Sequence, residues 1–119
     1  MLKRIKSLLD SNALWLAILV TISIIILSLI NIGGQSISFR FLDKIEHAIA
    51  YFVLSFLWLV VFRNSPNKIA PLVGCISLGI LLEFVQAQTG YRFFEVNDML
   101  ANTVGVLLGM LFSKFYLKK

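Results

Sequence analysis

The sequence predicts an all-α membrane protein whose four transmembrane helices form an antiparallel bundle. Three observations predict this class: 59% of the 119 residues are hydrophobic, only 14% are charged, and the mean hydropathy is +0.90. About a quarter of the residues of a typical soluble domain are charged. A soluble fold of this size has too little interior to bury so much apolar surface. We therefore expect most of these side chains to face lipid.

Four apolar segments follow one another along the chain, with predicted bounds 13–32, 45–62, 69–88 and 96–116. A helix of about 20 residues rises about 30 Å, which matches the hydrocarbon core of a bilayer. The alternation of apolar and polar residues that membrane strands require is missing. The links are short and no repeat occurs, so residues 1–119 are interpreted as one domain.

The first segment has an alternative interpretation as a cleaved signal peptide, because Lys3, Arg4 and Lys6 precede it. The apolar region of a signal peptide has about 7–15 residues and ends at a cleavage site of small residues. Segment 13–32 is longer and is followed by "GGQSISFRF". A retained helix is therefore the favoured interpretation.

The distribution of basic residues predicts the orientation in the membrane. Eight of the eleven Lys and Arg residues lie in the N-terminus, the 63–68 turn and the C-terminus, whereas Arg40, Lys44 and Arg92 lie in the other two links. The positive-inside rule then places both termini in the cytoplasm. Because the basic residues flank apolar segments, the net charge of +5 does not indicate a nucleic-acid partner. The single cysteine excludes an intrachain disulfide.

With this orientation, polar residues of three segments lie near the outer surface, each within roughly 10 Å of the boundary at 1.5 Å per residue. They are Glu46 and His47 of segment two, Glu83 and Gln86 of segment three, and Asp98 and Asn102 of segment four. We expect them to form one polar layer. Gly105 and Gly109 continue the stripe of Asn102, and small residues at this spacing allow a neighbouring helix to approach closely.

Glu83 and His47 are the strongest functional candidates. Glu83 lies near the C-terminal end of its segment, where the helix dipole disfavours an anion. An acidic side chain at the centre of a membrane helix costs about 2.5–3.5 kcal/mol, and an intramembrane ionisable residue is a functional hypothesis by default. A cationic partner (Arg92, Lys44 or His47) or protonation must offset this cost. The position of His47 near a helix N-terminus favours its neutral form.

Several of these residues also have structural interpretations. Asp43 and Glu46 have the spacing of a capping box, and Asn97 or Asp98 has the residue type of an N-cap for segment four. Arg92 stands among aromatic residues, as an anchor at the membrane interface does. Gly79, Gly105 and Gly109 are interpreted as packing glycines.

Three stretches of the sequence resemble motifs of the VanZ-like family. They are "DKIEHAIAYFVLSFL" (43–57), "LLEFVQ" (81–86) and "GYRFFEVNDMLANTVGVLLG" (90–109). The positions that carry the resemblance are Asp43, Lys44, His47, Tyr51, Glu83, Gln86, Arg92, Asp98, Asn102 and Gly105. The resemblance implies a small multi-pass protein of the bacterial cytoplasmic membrane. It also implies a link to glycopeptide resistance, since the founding member is associated with low-level resistance to teicoplanin.

Two functions are predicted. In the first, the protein binds or acts on an outer-leaflet lipid or a lipid-linked envelope precursor. Glu83 or His47 is then the base, Asp98 orients it, and Arg92 and Lys44 hold a phosphate. The matched positions Asp43, Tyr51, Gln86 and Asn102 complete the candidate substrate-binding set. In the second, the polar layer is a structural network that locks three helices, and an exposed face binds a glycopeptide or a partner.

Metal, ion path and assembly stay open or are less favoured. Carboxylate and imidazole groups suit a divalent metal held by Asp43, Glu46, His47, Glu83 and Asp98, but their spacing is not diagnostic, so the cofactor is left unknown. A proton or ion path is the least favoured function, because the inner halves of the four segments carry almost no polar groups. The "GVLLG" face is compatible with a dimer, but nothing in the sequence fixes the oligomeric state.

Overall fold

A computed structural model of the chain describes residues 1–29, 40–88 and 96–118, without the side chains of residues 40–43, 86–87 and 96–98. Within these ranges every regular element is an α-helix. The helices are α1 (Leu2–Leu29), α2 (Arg40–Val61), α3 (Ile69–Gln88) and α4 (Val96–Leu117). The predicted all-α class with four helices is therefore confirmed.

Three of the four helices are long and apolar enough to cross a membrane. The apolar windows are Leu2–Leu29 of α1, Lys44–Val61 of α2 and Met99–Leu117 of α4. α3 contributes a shorter apolar stretch, Ile69–Val85. The membrane-helix character of the chain is thus confirmed for α1, α2 and α4, and the fourth crossing stays a prediction.

Two helices begin earlier than the sequence predicts. α1 begins at Leu2 instead of residue 13, because no Gly or Pro interrupts the preceding residues and Lys, Arg and Leu are good helix formers. α2 begins at Arg40 instead of residue 45. Hydropathy locates only the part of a helix that lies in lipid, so it misses helical turns that extend beyond the membrane.

These starts change the interpretation of the predicted caps. An N-cap residue stands just before the first helical residue. α2 already includes Asp43, and α4, which begins at Val96, already includes Asn97 and Asp98. The N-cap interpretations of these three residues are therefore wrong.

α1 packs into the core and not only against lipid. Ala13 and Ala17 are buried against Leu57 and Val60 in the second half of α2. Further along α1, Ile24 joins a second cluster that contains Leu54. The retention of α1 in the mature protein stays a prediction.

The closest contact between helices joins α2 and α4, which run in the same direction. A Cβ on Gly105 would collide with the backbone carbonyl of Ala48, and a Cβ on Gly109 would collide with Ser55 Oγ and the carbonyl of Phe52. The predicted close approach at the "GVLLG" stripe is therefore confirmed, and its partner is α2 of the same chain. A stripe already covered by α2 is not available as a dimer face.

Polar side chains fix the helices relative to one another. Ser55 Oγ donates a hydrogen bond to the carbonyl oxygen of Val106 (3.1 Å), which joins α2 to α4. Trp58 Nε1 donates to Thr21 Oγ1 (2.9 Å), which joins α2 to α1. In the turn before α3, Asn67 Oδ1 accepts from the backbone N–H groups of residues 69 and 70 and so defines where α3 begins.

Candidate functional site

His47 and Asn102 form the centre of a buried polar cluster. His47 Nδ1 lies 3.0 Å from Asn102 Oδ1, so the two side chains join α2 to α4. An amide oxygen only accepts hydrogen bonds, so Nδ1 is the donor in this contact. Asn102 is 4% exposed. The pair therefore fixes the position of the imidazole between α2 and α4.

α3 approaches this pair at Gly79. A Cβ on Gly79 would lie 3.1 Å from Asn102 Nδ2 and 3.2 Å from Tyr51 Cε2. Contacts this short require the neighbouring side chains to move, so glycine is what lets α3 reach both α2 and α4 here. His47 and Tyr51 are i and i+4 on α2, so they share one face of the helix. One short segment of α3 thus lies against residues of both neighbours.

Glu83 continues the same face of α3, one turn beyond Gly79. It is 2% exposed and lies near enough to the Tyr51 phenol to interact with it electrostatically. Within the described residues, every buried side-chain nitrogen or oxygen atom has a hydrogen-bond partner. A carboxyl group buried inside an apolar bundle is costly unless it is hydrogen-bonded, paired or protonated. The described parts of α2, α3 and α4 therefore enclose an acid, a phenol, an amide and an imidazole at one level.

The other predicted site residues divide into those whose side chains the structure describes and those whose side chains it does not describe. Lys44 is partly buried in the first turns of α2, whereas Glu46 is exposed. Asp43, Gln86 and Asp98 lie in helices, but their side chains are outside the described part of the structure, and Arg92 lies outside the described residues. Their roles in binding or catalysis stay predictions, as do those of Glu83 and His47.

A metal centre has limited support. Among the described residues, no group of three or more His, Cys, Asp and Glu side chains is arranged to hold a metal ion. Two of the five predicted ligands, Asp43 and Asp98, have side chains outside that part of the chain. The described members, Glu46, His47 and Glu83, do not form such a centre by themselves, because Glu46 is exposed and Glu83 is buried.

Sequence reasoning assigned Gly79 to packing and missed its place against the cluster. The available signal is the spacing of four residues between Cys75, Gly79 and Glu83, which puts all three on one face of α3. All three are buried. Tyr51 was included only through the family resemblance, although it follows His47 by the same spacing.

The helices and the buried polar cluster define a class: a small helical membrane protein with ionisable groups inside the bundle. A sequence model of the VanZ/LLP1 family matches residues 5–117, so the chain belongs to this family and the predicted relationship is confirmed.

The chain is also similar to a Schizosaccharomyces pombe protein named "Uncharacterized protein C11E3.10". The two are 32% identical over 80 residues, which make up 65% of this chain and 49% of the yeast protein. The chain thus spans about half the length of that relative. No solved structure matches the chain significantly.

Proposed function

We propose that the chain crosses the membrane four times in alternating directions, with both termini in the cytoplasm and the polar cluster in the outer half of the bilayer. The basic residues support this orientation. The shared direction of α2 and α4 requires α3 to return between them. α3 has 20 residues, which rise about 30 Å and are long enough for that return.

Cysteine labelling tests the orientation. In a Cys75→Ser background, Gly90→Cys is expected to react with a membrane-impermeant maleimide added to intact cells, whereas Asn64→Cys, in the α2–α3 turn, is expected to react only after permeabilisation. The opposite pattern would reverse the orientation and place the cluster in the inner leaflet.

We further propose that the cluster binds and chemically acts on a lipid or a lipid-linked envelope molecule that enters from the outer leaflet. The observation that carries this proposal is the buried Glu83 carboxyl, one helical turn beyond Gly79, where α3 meets Asn102 and Tyr51. If this acid had no function, an apolar residue at position 83 would give a lower free energy of insertion into the membrane. Glu83 or His47 is the base, and Asn102 holds the imidazole in position.

The remaining predicted residues complete this proposal. Lys44 and Arg92 hold a phosphate of the ligand, and Asp98 orients the base. Asp43, Gln86 and Tyr51 line the path of the ligand. A relative in a yeast favours a molecule that bacteria and fungi share, such as a phospholipid. The proposed site in a bacterial member would lie in the leaflet that a glycopeptide reaches, which is how a link to teicoplanin resistance fits this proposal.

Substitutions at the two candidate bases test the proposed chemistry. Purified wild-type protein, Glu83→Gln, His47→Ala and the control Glu46→Gln are incubated in nanodiscs with isotopically labelled membrane and envelope lipids, and mass spectrometry follows the products. Glu46→Gln is the matched control because this acid is exposed beside His47. Turnover is expected in the wild type and the control, with a loss of about 10²–10⁴-fold in the other two. Equal turnover in all four folded proteins would refute the catalytic roles.

The alternative function is a structural network without catalysis. The observation that favours it is that the described buried polar atoms are all hydrogen-bonded, as a network that locks helices requires. In that case no labelled lipid is converted, Glu83→Gln lowers the thermal stability of the protein, and cells that carry a folded variant keep the wild-type response to teicoplanin.

A further inference from the structure

A second polar feature lies at the opposite end of the helices. His47 and Val60 are thirteen residues apart on α2, so the two ends are separated by roughly 20 Å. Between the first turns of α1 and the end of α2, a cleft of about 420 Å³ opens to the surroundings. Its lining residues are Lys3, Lys6, Ser7, Asp10, Ser11 and Arg63. Three basic side chains and two hydroxyl groups thus face a single acidic side chain.

Two of the three cations are held in place by neighbouring groups. Lys6 Nζ donates to the carbonyl oxygen of Tyr116 (3.2 Å) and lies 5.0 Å from the centre of the Tyr116 ring. Arg63 Nη1 donates to the carbonyl oxygen of Val60 (2.8 Å). An ammonium group has three N–H donors and a guanidinium group has five, so both cations keep donors for a ligand. Fixed cations also lose less conformational freedom when a ligand binds.

The acidic residue of the cleft is directed at a different partner. Asp10 Oδ1 accepts a hydrogen bond of 2.7 Å from the Tyr116 hydroxyl. The carboxylate therefore contacts a phenol at the edge of the cleft, and the excess positive charge is available to an anion.

We propose that this cleft binds the phosphate group of an anionic phospholipid. Lys, Arg and hydroxyl groups are the usual donors to phosphate, and basic pockets beside membrane helices bind lipid head groups. A lipid fits better than free phosphate because α1 continues from the cleft into an exposed apolar surface. Leu14, Trp15 and Leu19 lie along that surface, and Trp15 is 71% exposed. This site is independent of the polar cluster and of the function proposed for it.

Native mass spectrometry of the full-length protein in neutral detergent tests this site. Titration with phosphatidylglycerol is compared with titration with phosphatidylcholine, which carries a phosphate without net negative charge. The triple variant Lys3→Gln/Lys6→Gln/Arg63→Gln is expected to lose at least about tenfold in phosphatidylglycerol affinity. The matched control, Arg4→Gln/Lys114→Gln/Lys118→Gln, removes the same charge from described residues that do not line the cleft and is expected to bind as the wild type does.

Three results would overturn the proposal. Equal losses in the two triple variants would mean diffuse attraction to the basic end of the protein. Equal affinity for the two lipids would mean that net negative charge is not recognised. Competition by glycerol 3-phosphate, at the same concentration as the lipid, would mean that the ligand is a soluble phosphate. Lys3→Gln guards against misfolding, because Lys3 is exposed. This single change is expected to lower phosphatidylglycerol affinity by about fivefold, and an unchanged affinity would count against the cleft.

Discussion

The molecule carries two polar clusters, one at each end of α2 and α4, and their surroundings differ. The cluster of His47, Tyr51, Glu83 and Asn102 is enclosed by three helices, and its Asn102 and Glu83 are almost fully buried. The group of Lys6, Asp10, Arg63 and Tyr116 joins α1 to the ends of α2 and α4 and borders an open cleft. Similar residue types therefore meet in two environments of different polarity.

This difference predicts different energetics for the two ends. In an enclosed site, an unpaired polar group loses its hydration without compensation, so removal of one partner is expensive. At the open end, water replaces a lost partner and salt screens the charges. The enclosed cluster should therefore tolerate few substitutions, and the open end should tolerate many.

The largest expected effect comes from Gly105→Ala, which forces α2 and α4 apart one turn below the enclosed cluster. The new methyl group collides with the backbone of Ala48. Rotation of a side chain cannot relieve a contact with backbone atoms. We expect a loss of about 3 kcal/mol or failure to fold. Gly74→Ala is the control, because a Cβ there meets nothing within 4 Å. Unfolding in mixed micelles, followed by circular dichroism, measures both; equal stabilities would contradict the close packing of α2 and α4.

The next effect in size is that of Asn102→Ala, which removes the acceptor of His47 Nδ1. A buried donor without a partner costs about 1–3 kcal/mol. Asn12→Ala removes an exposed amide that donates to the carbonyl of Leu8 on α1 and is expected to cost under about 0.5 kcal/mol. The same unfolding assay compares them, and a larger loss for Asn12→Ala would reverse the proposed contrast between enclosed and open sites.

A smaller effect is expected for Tyr116→Phe at the open end. The ring and its edge contact with Phe56 stay, so the substitution isolates the hydrogen bond to Asp10. A hydrogen bond contributes about 0.5–1.5 kcal/mol, and partial exposure places this one at the lower limit. Trp58, which bonds to Thr21 of α1, allows unfolding to be followed by fluorescence. A loss as large as that of Asn102→Ala would show that the open end is as enclosed as the cluster.

The smallest effect is the response of the two ends to salt. Screening shortens the range of charge interactions to about 10 Å at 0.1 M and about 3 Å at 1 M salt. Lys6→Gln is expected to lower stability by about 0.5 kcal/mol or less at low salt, and the difference should vanish at high salt. The cost of Asn102→Ala should stay constant over the same range, because the cluster is enclosed and buried interactions are screened little by salt. A salt-dependent cost for Asn102→Ala would indicate that charges control the cluster.

The features of the fold that follow from contact with lipid, namely the number and type of the helices, were predictable from the sequence. Apolar runs and the lack of strand alternation predicted four helices, and the spacing of Gly105 and Gly109 predicted a close approach. The helical first turns of α1 were not predictable from hydropathy, because Lys3 and Arg4 would lie outside the bilayer whether helical or not.

The enclosed cluster was predictable in part. Depth below the surface suggested that His47, Glu83 and Asn102 lie at one level, and the helical spacing suggested the faces on which they stand. The spacing of Gly79 and Glu83 indicates that they share a face of α3, but it does not indicate which residues of α2 and α4 that face contacts. The pairing of Lys6 with Tyr116 joins residues 110 positions apart, and charge counting alone does not predict it.

Asn102 stands between two helices: its oxygen contacts His47 of α2, and its nitrogen lies 3.1 Å from the point that a Cβ on Gly79 of α3 would occupy. A ligand that binds this amide has to displace the residues of α2 and of α3 that lie against it. Ligand binding at this amide is therefore expected to change the tilt of α2 and α3. A fluorescent label on a distant loop would report this change.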